Sequence, residues 1–241
     1  MVEKFIGVVL RTIKYSDNLM IADMYTQSHG RQSFLVPVSR SKRSKVRNVL
    51  FQPLSILSFT ATYKGNGSLS RLSEVQPHVM YGSIPYDVVK SSIALYLADF
   101  LSAVLREEGE SESLYAFLDY SLNWLDSASE GYANFHIVFL LHLTRFLGIA
   151  PNVEEAIAGS YFDLAAGCIV HELPLHSQYL TPEDTSVFID ILGVDYSSMH
   201  ILQLSRYARW QYLTLLHNYY RLHIPELPDI KSIEILRELF S

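Results

Sequence analysis

Cysteine is nearly missing from this chain: the 241 residues contain one, Cys168. No intramolecular disulfide can form, so the fold must be held by its own core, and the chain suits a reducing, cytoplasmic setting. Long apolar runs are missing too. Asp99 breaks "SIALYLADFLSAVL", and "FHIVFLLHL" covers only residues 135–143, short of the roughly 20 residues that cross a bilayer. The start, "MVEKFIGVVLRT", carries Glu3 and no small-residue cleavage pattern, so no secretory leader is expected. Neither a Gly-x-x-x-x-Gly-Lys phosphate loop nor a Gly-x-Ser-x-Gly elbow occurs. "HELPLH" imitates a metalloprotease motif, but His171 and His176 are five apart with Pro174 between them, so they cannot share a helix face. These absences point to a non-enzymatic protein. Carboxylates converging from separate elements, as a two-metal nuclease needs, leave no mark in a sequence.

Acidic residues are missing from one stretch: none lies between Asp23 and Glu74. Inside that stretch sits "SRSKRSKVRN" (39–48), with Arg40, Lys42, Arg43, Lys45 and Arg47. The whole chain has net charge −6, yet residues 1–80 hold 11 Lys and Arg against 4 Asp and Glu, while residues 81–241 hold 8 against 21. A basic module is therefore joined to an acidic one, and the basic end is expected to meet a polyanion.

What is present divides into two textures. With 49% hydrophobic and 18% charged residues, the chain can build a substantial core. Residues 1–80 read as five short strands, at 4–13, 18–26, 31–39, 49–63 and 68–76. Turn signals at "YSDN", "SHG" and "KGNG" separate them, and Pro37 and Pro53 require an edge, bulge or strand end. The fourth strand is long enough to bend, as in a small closed or partly open barrel. An SH3-like barrel or a small sandwich fits the strand count nearly as well. Residues 81–241 read as helical, at 87–108, 113–128, 133–148, 181–192, 197–223 and 229–239. Gly148 and Pro151 stop the third helix, and Thr181, Pro182 and Asp184 form a helix start. Between them, near 151–181, periodicity is weak and an irregular segment is expected.

Unpaired cations on one surface concentrate phosphate backbone around themselves. The candidate DNA-binding set is the five cations of 39–48 with Arg11, Lys14 and Arg31 extending the same face. Tyr15, Phe34 and Tyr63 are candidate base-stacking rings, against the alternative that they fill the barrel core. His136 and His142 lie on an apolar helix and read as buried structural residues. Arg206, Arg209 and Arg221 fall on one side of a helix close to Tyr207 and Trp210. Arg206, Arg209 and Trp210 could form a partner-peptide pocket, against ordinary salt bridging to nearby acids.

Taken in order, "GVVLRTIKYSDNLMIADMYTQSHGR" (7–31), "SRSKRSKVRNVLFQPLSIL" (39–57), "FLGIAPNV" (146–153) and "LPDIKSIEILREL" (227–239) resemble the RecO family of bacterial recombinational-repair proteins. The resemblance implies an α+β chain: a five-stranded OB-fold barrel over residues 1–80, followed by an all-helical domain over 81–241. It further implies binding of single- and double-stranded DNA and annealing of complementary strands. Cooperation with RecR, contact with the C-terminal tail of the single-stranded-DNA-binding protein, and help in loading RecA follow from it as well. Many family members carry two Cys-x-x-Cys pairs after the central helix. Here only Cys168 stands in that segment, with His171 and His176 as further candidate zinc ligands, and a structural site needs a fourth. No cofactor is expected, and the apolar residues around "FDL" (162–164) are expected to pack instead. Rival readings are an adaptor whose basic patch takes an acidic protein, an RNA-binding barrel, and a metal-dependent nuclease.

Overall fold

The structure, a computed structural model, describes residues 2–38, 49–62, 69–106 and 109–239. Five strands, β1 (Val2–Ser16), β2 (Leu19–Thr26), β3 (Gly30–Pro37), β4 (Ile56–Thr62) and β5 (Ser70–Pro77), close into a barrel in the order β1-β2-β3-β5-β4. All neighbours are antiparallel except β3 and β5, which meet in parallel at Phe34↔Ser70 and Leu35↔Arg71. This is OB-fold topology.

The long strand is β1 and not the fourth, as the sequence had suggested. The first half of β1 pairs with β4 and its second half with β2, the two registers overlapping at Gly7 and Val8. β4 cannot begin before Ile56. Pro53 lacks a backbone N–H, and Leu54 takes a positive φ of 62° while its N–H and the carbonyl of Ser55 bond to the backbone of Val9. Inside the barrel, Phe5, Phe34 and Phe59 form a cluster with ring centroids 4.9–5.5 Å apart. Val9, Met24 and Leu72 are among the buried residues of the same core.

The helices are α1 (Val88–Val104), α2 (Glu112–Ser127), α3 (Phe135–Phe146), α4 (Pro182–Leu192), α5 (Arg206–His223) and α6 (Ile233–Leu239). The chain forms two compact units: Met1–Ser127 with Asp229–Leu239, and Ala128–Pro228. The change from strand to helix falls between Pro77 and Val88, close to the boundary read from sequence, but α1, α2 and α6 group with the barrel.

In the first unit α1 packs on β1 and α6 on α1. β1 is therefore buried on both faces, Phe5 and Val9 towards the barrel core and Val8 opposite them. Asp87 caps α1 by accepting the Lys90 N–H at 2.9 Å. The Asp126 carboxylate, in the last turn of α2, accepts the backbone N–H groups of Gly82, Ser83 and Ile84, each at 2.8 Å. That bond set fixes the connection between barrel and α1, and lowers the pKa of Asp126 despite the opposing effect of burial.

In the second unit α3 is buried nearly all round and packs against α4 and α5. Tyr220 donates to the Leu140 carbonyl at 2.7 Å and Tyr219 to that of Ile149 at 2.8 Å. Thr181 caps α4 as its sequence indicates, accepting the Asp184 N–H. The helix expected over 197–223 is shorter. A 3-10 turn at Met199–Ile201 precedes it, and α5 starts only after Ser205, whose hydroxyl accepts the Ala208 N–H. Residues 151–181, expected to be irregular, contain a small sheet of β6 (Tyr161–Asp163), β7 (Cys168–Val170) and β8 (Tyr179–Leu180), in the order β7-β6-β8.

Candidate nucleic-acid interface

Beyond Leu10, β1 leaves the barrel core and runs out as an exposed arm: residues 11–18 are all exposed. Arg11, Lys14 and Tyr15 are carried there, on a hairpin with β2. Lys14 meets Asp17 at 3.1 Å, but both side chains are more than three-quarters exposed, so water and salt leave little of that pair. The Tyr15 ring is 60% exposed. A hollow of about 450 Å³ beside the arm is lined by Lys14 and also by Val38 and Phe51. Val38 and Phe51, on either side of the cation segment in the sequence, thus lie beside the arm that carries Lys14.

Arg40, Lys42, Arg43, Lys45 and Arg47 lie outside the described residues, as does Tyr63.

Two candidates from the sequence have structural duties. Phe34 is 2% exposed within the aromatic cluster, so no base can reach its ring; for this residue the core alternative holds. Arg31 is not an open phosphate contact. Its side chain is 12% exposed, Nη1 donates to the Ser102 carbonyl at 2.8 Å, and Nη2 lies 3.2 Å from Asp23 Oδ2. The alternation of β3 explains both: Arg31 faces away from the barrel interior, where the end of α1 covers it, and Phe34 faces in.

Asp23 is the residue that sequence reasoning missed. It is 4% exposed and binds both Arg11, at 2.6 Å, and Arg31. Ser33 also donates to it. Burial alone would raise its pKa, but the bonds from Ser33 and Arg11 and the two nearby guanidinium charges outweigh burial and lower it. The available signal was cross-strand register: Arg11 stands opposite Asp23, and Asp23 opposite Ser33. Asp23 is twelve residues from Arg11, so the pair shows only when β1 and β2 are aligned.

At the start of α5, Arg209 is held inside its own unit. Its Nε donates to Asn134 Oδ1 at 2.9 Å, and burial lowers its pKa, with Arg206 adding to the effect. Trp210 is half-buried, while Arg206 and Tyr207 are exposed. The two histidines on the apolar helix are structural in placement: His136 is fully buried, and His142 Nε2 lies 3.1 Å from the Val194 carbonyl.

The candidate zinc ligands do not converge. His171 Nδ1 lies 3.2 Å from Ser160 Oγ, and His176 Nε2 lies 3.1 Å from Asp163 Oδ2. Among the described residues no group of three or more His, Cys, Asp or Glu is arranged to hold a metal ion. Apolar packing occupies this segment, as expected for "FDL": Phe162 is fully buried against Phe188 and Tyr219, and Leu164 is 4% exposed. Asp163 instead accepts the N–H groups of Ala165 and Ala166 and shapes the β6–β7 turn. No helix among the described residues is long and apolar enough to cross a membrane.

Comparison with known proteins covers both parts of the chain. A family model described as "Recombination protein O N terminal" matches residues 1–81, and one described as "Recombination protein O C terminal" matches residues 85–232. A curated relative from Phocaeicola vulgatus named DNA repair protein RecO is 44% identical over 241 residues, covering 100% of each chain. Relatives of the same name from Bacteroides fragilis (44% over 242 residues, 100% of each) and Flavobacterium psychrophilum (33% over 237 residues, 98% of each) are similar along the same span.

Proposed function

The chain belongs to the recombination protein O family, a family of DNA repair proteins, and from that membership we propose that it is a non-enzymatic DNA-binding mediator of recombinational repair. It anneals complementary strands in the cytoplasm. With RecR, it helps RecA onto single strands covered by the single-stranded-DNA-binding protein, whose C-terminal tail it contacts. It requires no metal. The observation that carries this reading is the OB barrel with its exposed β1–β2 arm, in a half of the chain whose sequence holds an acid-free cluster of cations.

The mechanism is charge neutralisation. Two complementary strands repel through their phosphates, and a surface that binds both through Lys and Arg releases counterions and lowers that repulsion. Annealing then needs no bond chemistry. Arg11 and Lys14 add cations on the arm, and Tyr15 offers a ring on which an unpaired base can stack. Arg31 contributes indirectly, by fixing Asp23 and through it Arg11.

The test is fluorescence anisotropy of a labelled single-stranded oligonucleotide across a salt series. Wild type is compared with a variant carrying Glu at Arg40, Lys42, Arg43, Lys45 and Arg47. If each cation neutralises one phosphate, the log–log salt slope contains about −3.5 from the segment, and the variant loses it. A variant that binds like wild type moves the reading to an adaptor for an acidic protein. Competition by RNA of the same sequence separates the RNA-binding alternative.

A further inference from the structure

On the outer side of the barrel, β1, α1 and the start of α6 enclose a groove of about 440 Å³. Its apolar lining includes Leu10, Pro53, Leu95 and Ile235, and its charged lining is Arg11, Asp99 and Lys231. Leu95 and Ile235 are more than a third exposed, so the groove is open to solvent. Arg11 does not swing freely at its edge. Its Nε is bound at 2.6 Å by Oδ2 of Asp23, which is itself buried and held through the same oxygen by Arg31. One edge of the guanidinium is thereby fixed, and its terminal nitrogens remain to meet an oxyanion. Asp99 accepts the N–H and hydroxyl of Ser232 through Oδ2, at 3.2 and 2.7 Å, which ties α6 to α1.

The charge pattern selects the occupant. Asp23 and Arg31 cancel, which leaves Arg11 and Lys231 to attract an anion, and Asp99, whose Oδ2 is taken by Ser232, to accept an N–H through Oδ1. A peptide tail with several carboxylates would set like charge against Asp99. A nucleotide brings one anionic phosphate, a flat apolar base and N–H groups on the base edge. The volume lies at the lower end of ligand pockets and admits one nucleotide, not a duplex.

We infer that this groove seats a single unstacked nucleotide of single-stranded DNA, with its phosphate on Arg11 and Lys231, its base on Leu95 and Pro53, and a base N–H on Asp99. The inference rests on the DNA-binding reading above and adds a base-contacting subsite, separate from the cation segment. A strand seated there would have one base turned out of its stack and held, and the neighbouring bases left open to a complementary strand.

Two variants test it by different signatures, in the full chain, with a labelled single-stranded oligonucleotide over a salt series. Lys231→Gln should lower the magnitude of the salt slope by about 0.7, the share of one single-strand phosphate. Leu95→Ala removes apolar floor without changing charge, so affinity should fall about fivefold while the slope stays as in wild type. An oligonucleotide of the same length with abasic sites should bind wild type more weakly and be insensitive to Leu95→Ala. Thermal melts of both variants establish that the fold is intact. If wild type binds and the five-Glu variant does not, but neither groove variant changes affinity or slope, the groove inference falls and the DNA-binding reading stands. Wild type that binds no single strand at all overturns both. Displacement of the oligonucleotide by a short Asp- and Phe-containing peptide, with Lys231→Gln weakening only the peptide, would make the groove a protein-docking site and overturn the inference.

Discussion

Arg31 and Phe34 sit three residues apart on β3, and both were plausible DNA contacts by residue type. Strand alternation sends them to opposite faces. Phe34 enters the aromatic cluster, and Arg31 goes under the end of α1, where the ion pair with Asp23 and the bond to the Ser102 carbonyl make its burial tolerable. The same scale governs His217. It is 7% exposed on α5, and burial, with the Arg221 charge next in effect, depresses its pKa to about 4. His136, fully buried, is depressed in the same direction to about 3. An unfolded histidine titrates near 6.5, so between pH 6.5 and 4 the unfolded chain binds more protons than the folded one. Stability is complete above about pH 6.5 and falls on acidification, by of order 3 kcal/mol for His217 alone at the low end. Urea denaturation at pH 7 and pH 5 should show a lower midpoint at pH 5, and His217→Gln should flatten the difference. A midpoint independent of pH would mean that these rings are already protonated, or hydrated, in the fold.

At the scale of elements, β1 determines where the candidate site lies. Its middle, from Phe5 to Leu10, lies in the core and its end from Arg11 is exposed, so one strand serves both as barrel wall and as the arm of the candidate site. The turn from β2 to β3 is equally constrained. Gly30 has φ of 59°, and a Cβ added there would collide with the Gly109 backbone. Thr26 holds the turn from inside, donating to the Gly30 carbonyl at 2.8 Å. Gly30→Ala should therefore destabilise the barrel by about 2 kcal/mol or more, through backbone strain and the collision together. Equilibrium denaturation would measure it, and a change under 0.5 kcal/mol would mean the segment at Gly109 yields. In the β6–β7 hairpin, Phe162 packing on Phe188 and the Asp163 turn order the chain.

For the molecule as a whole, charge is the organising quantity. The cations cluster in the first 80 residues, and the acids dominate the rest. On the proposed DNA-binding reading, a negative field from the second part would oppose indiscriminate attachment to DNA at low ionic strength and fade over roughly 10 Å at 0.1 M salt. Replacing the exposed Glu154, Glu155, Glu172 and Glu183 by Gln should raise affinity for unrelated duplex DNA a few-fold at low salt and leave it unchanged at high salt. Equal affinity at low salt would show that the acidic part has no say in DNA selection and serves other contacts.

Much of this was determined by the order of residues alone. The strand-to-helix change near residue 80, the Thr181 cap, the stop at Gly148 and the packing of "FDL" follow from local rules: alternation, capping and the conformational freedom of glycine. The charge asymmetry needs no structure at all. What only the tertiary structure decided depends on partners distant in sequence. Asp23 becomes the holder of Arg11 and Arg31 through strand register, and β1 becomes the long strand because Pro53 and Leu54 interrupt the run before β4. Asp99 and Lys231 reach one groove across more than a hundred residues because α6 returns to α1. Local rules say which residues can form an element. Which side chains then meet is set by how the elements close on one another, and no window of sequence contains that information.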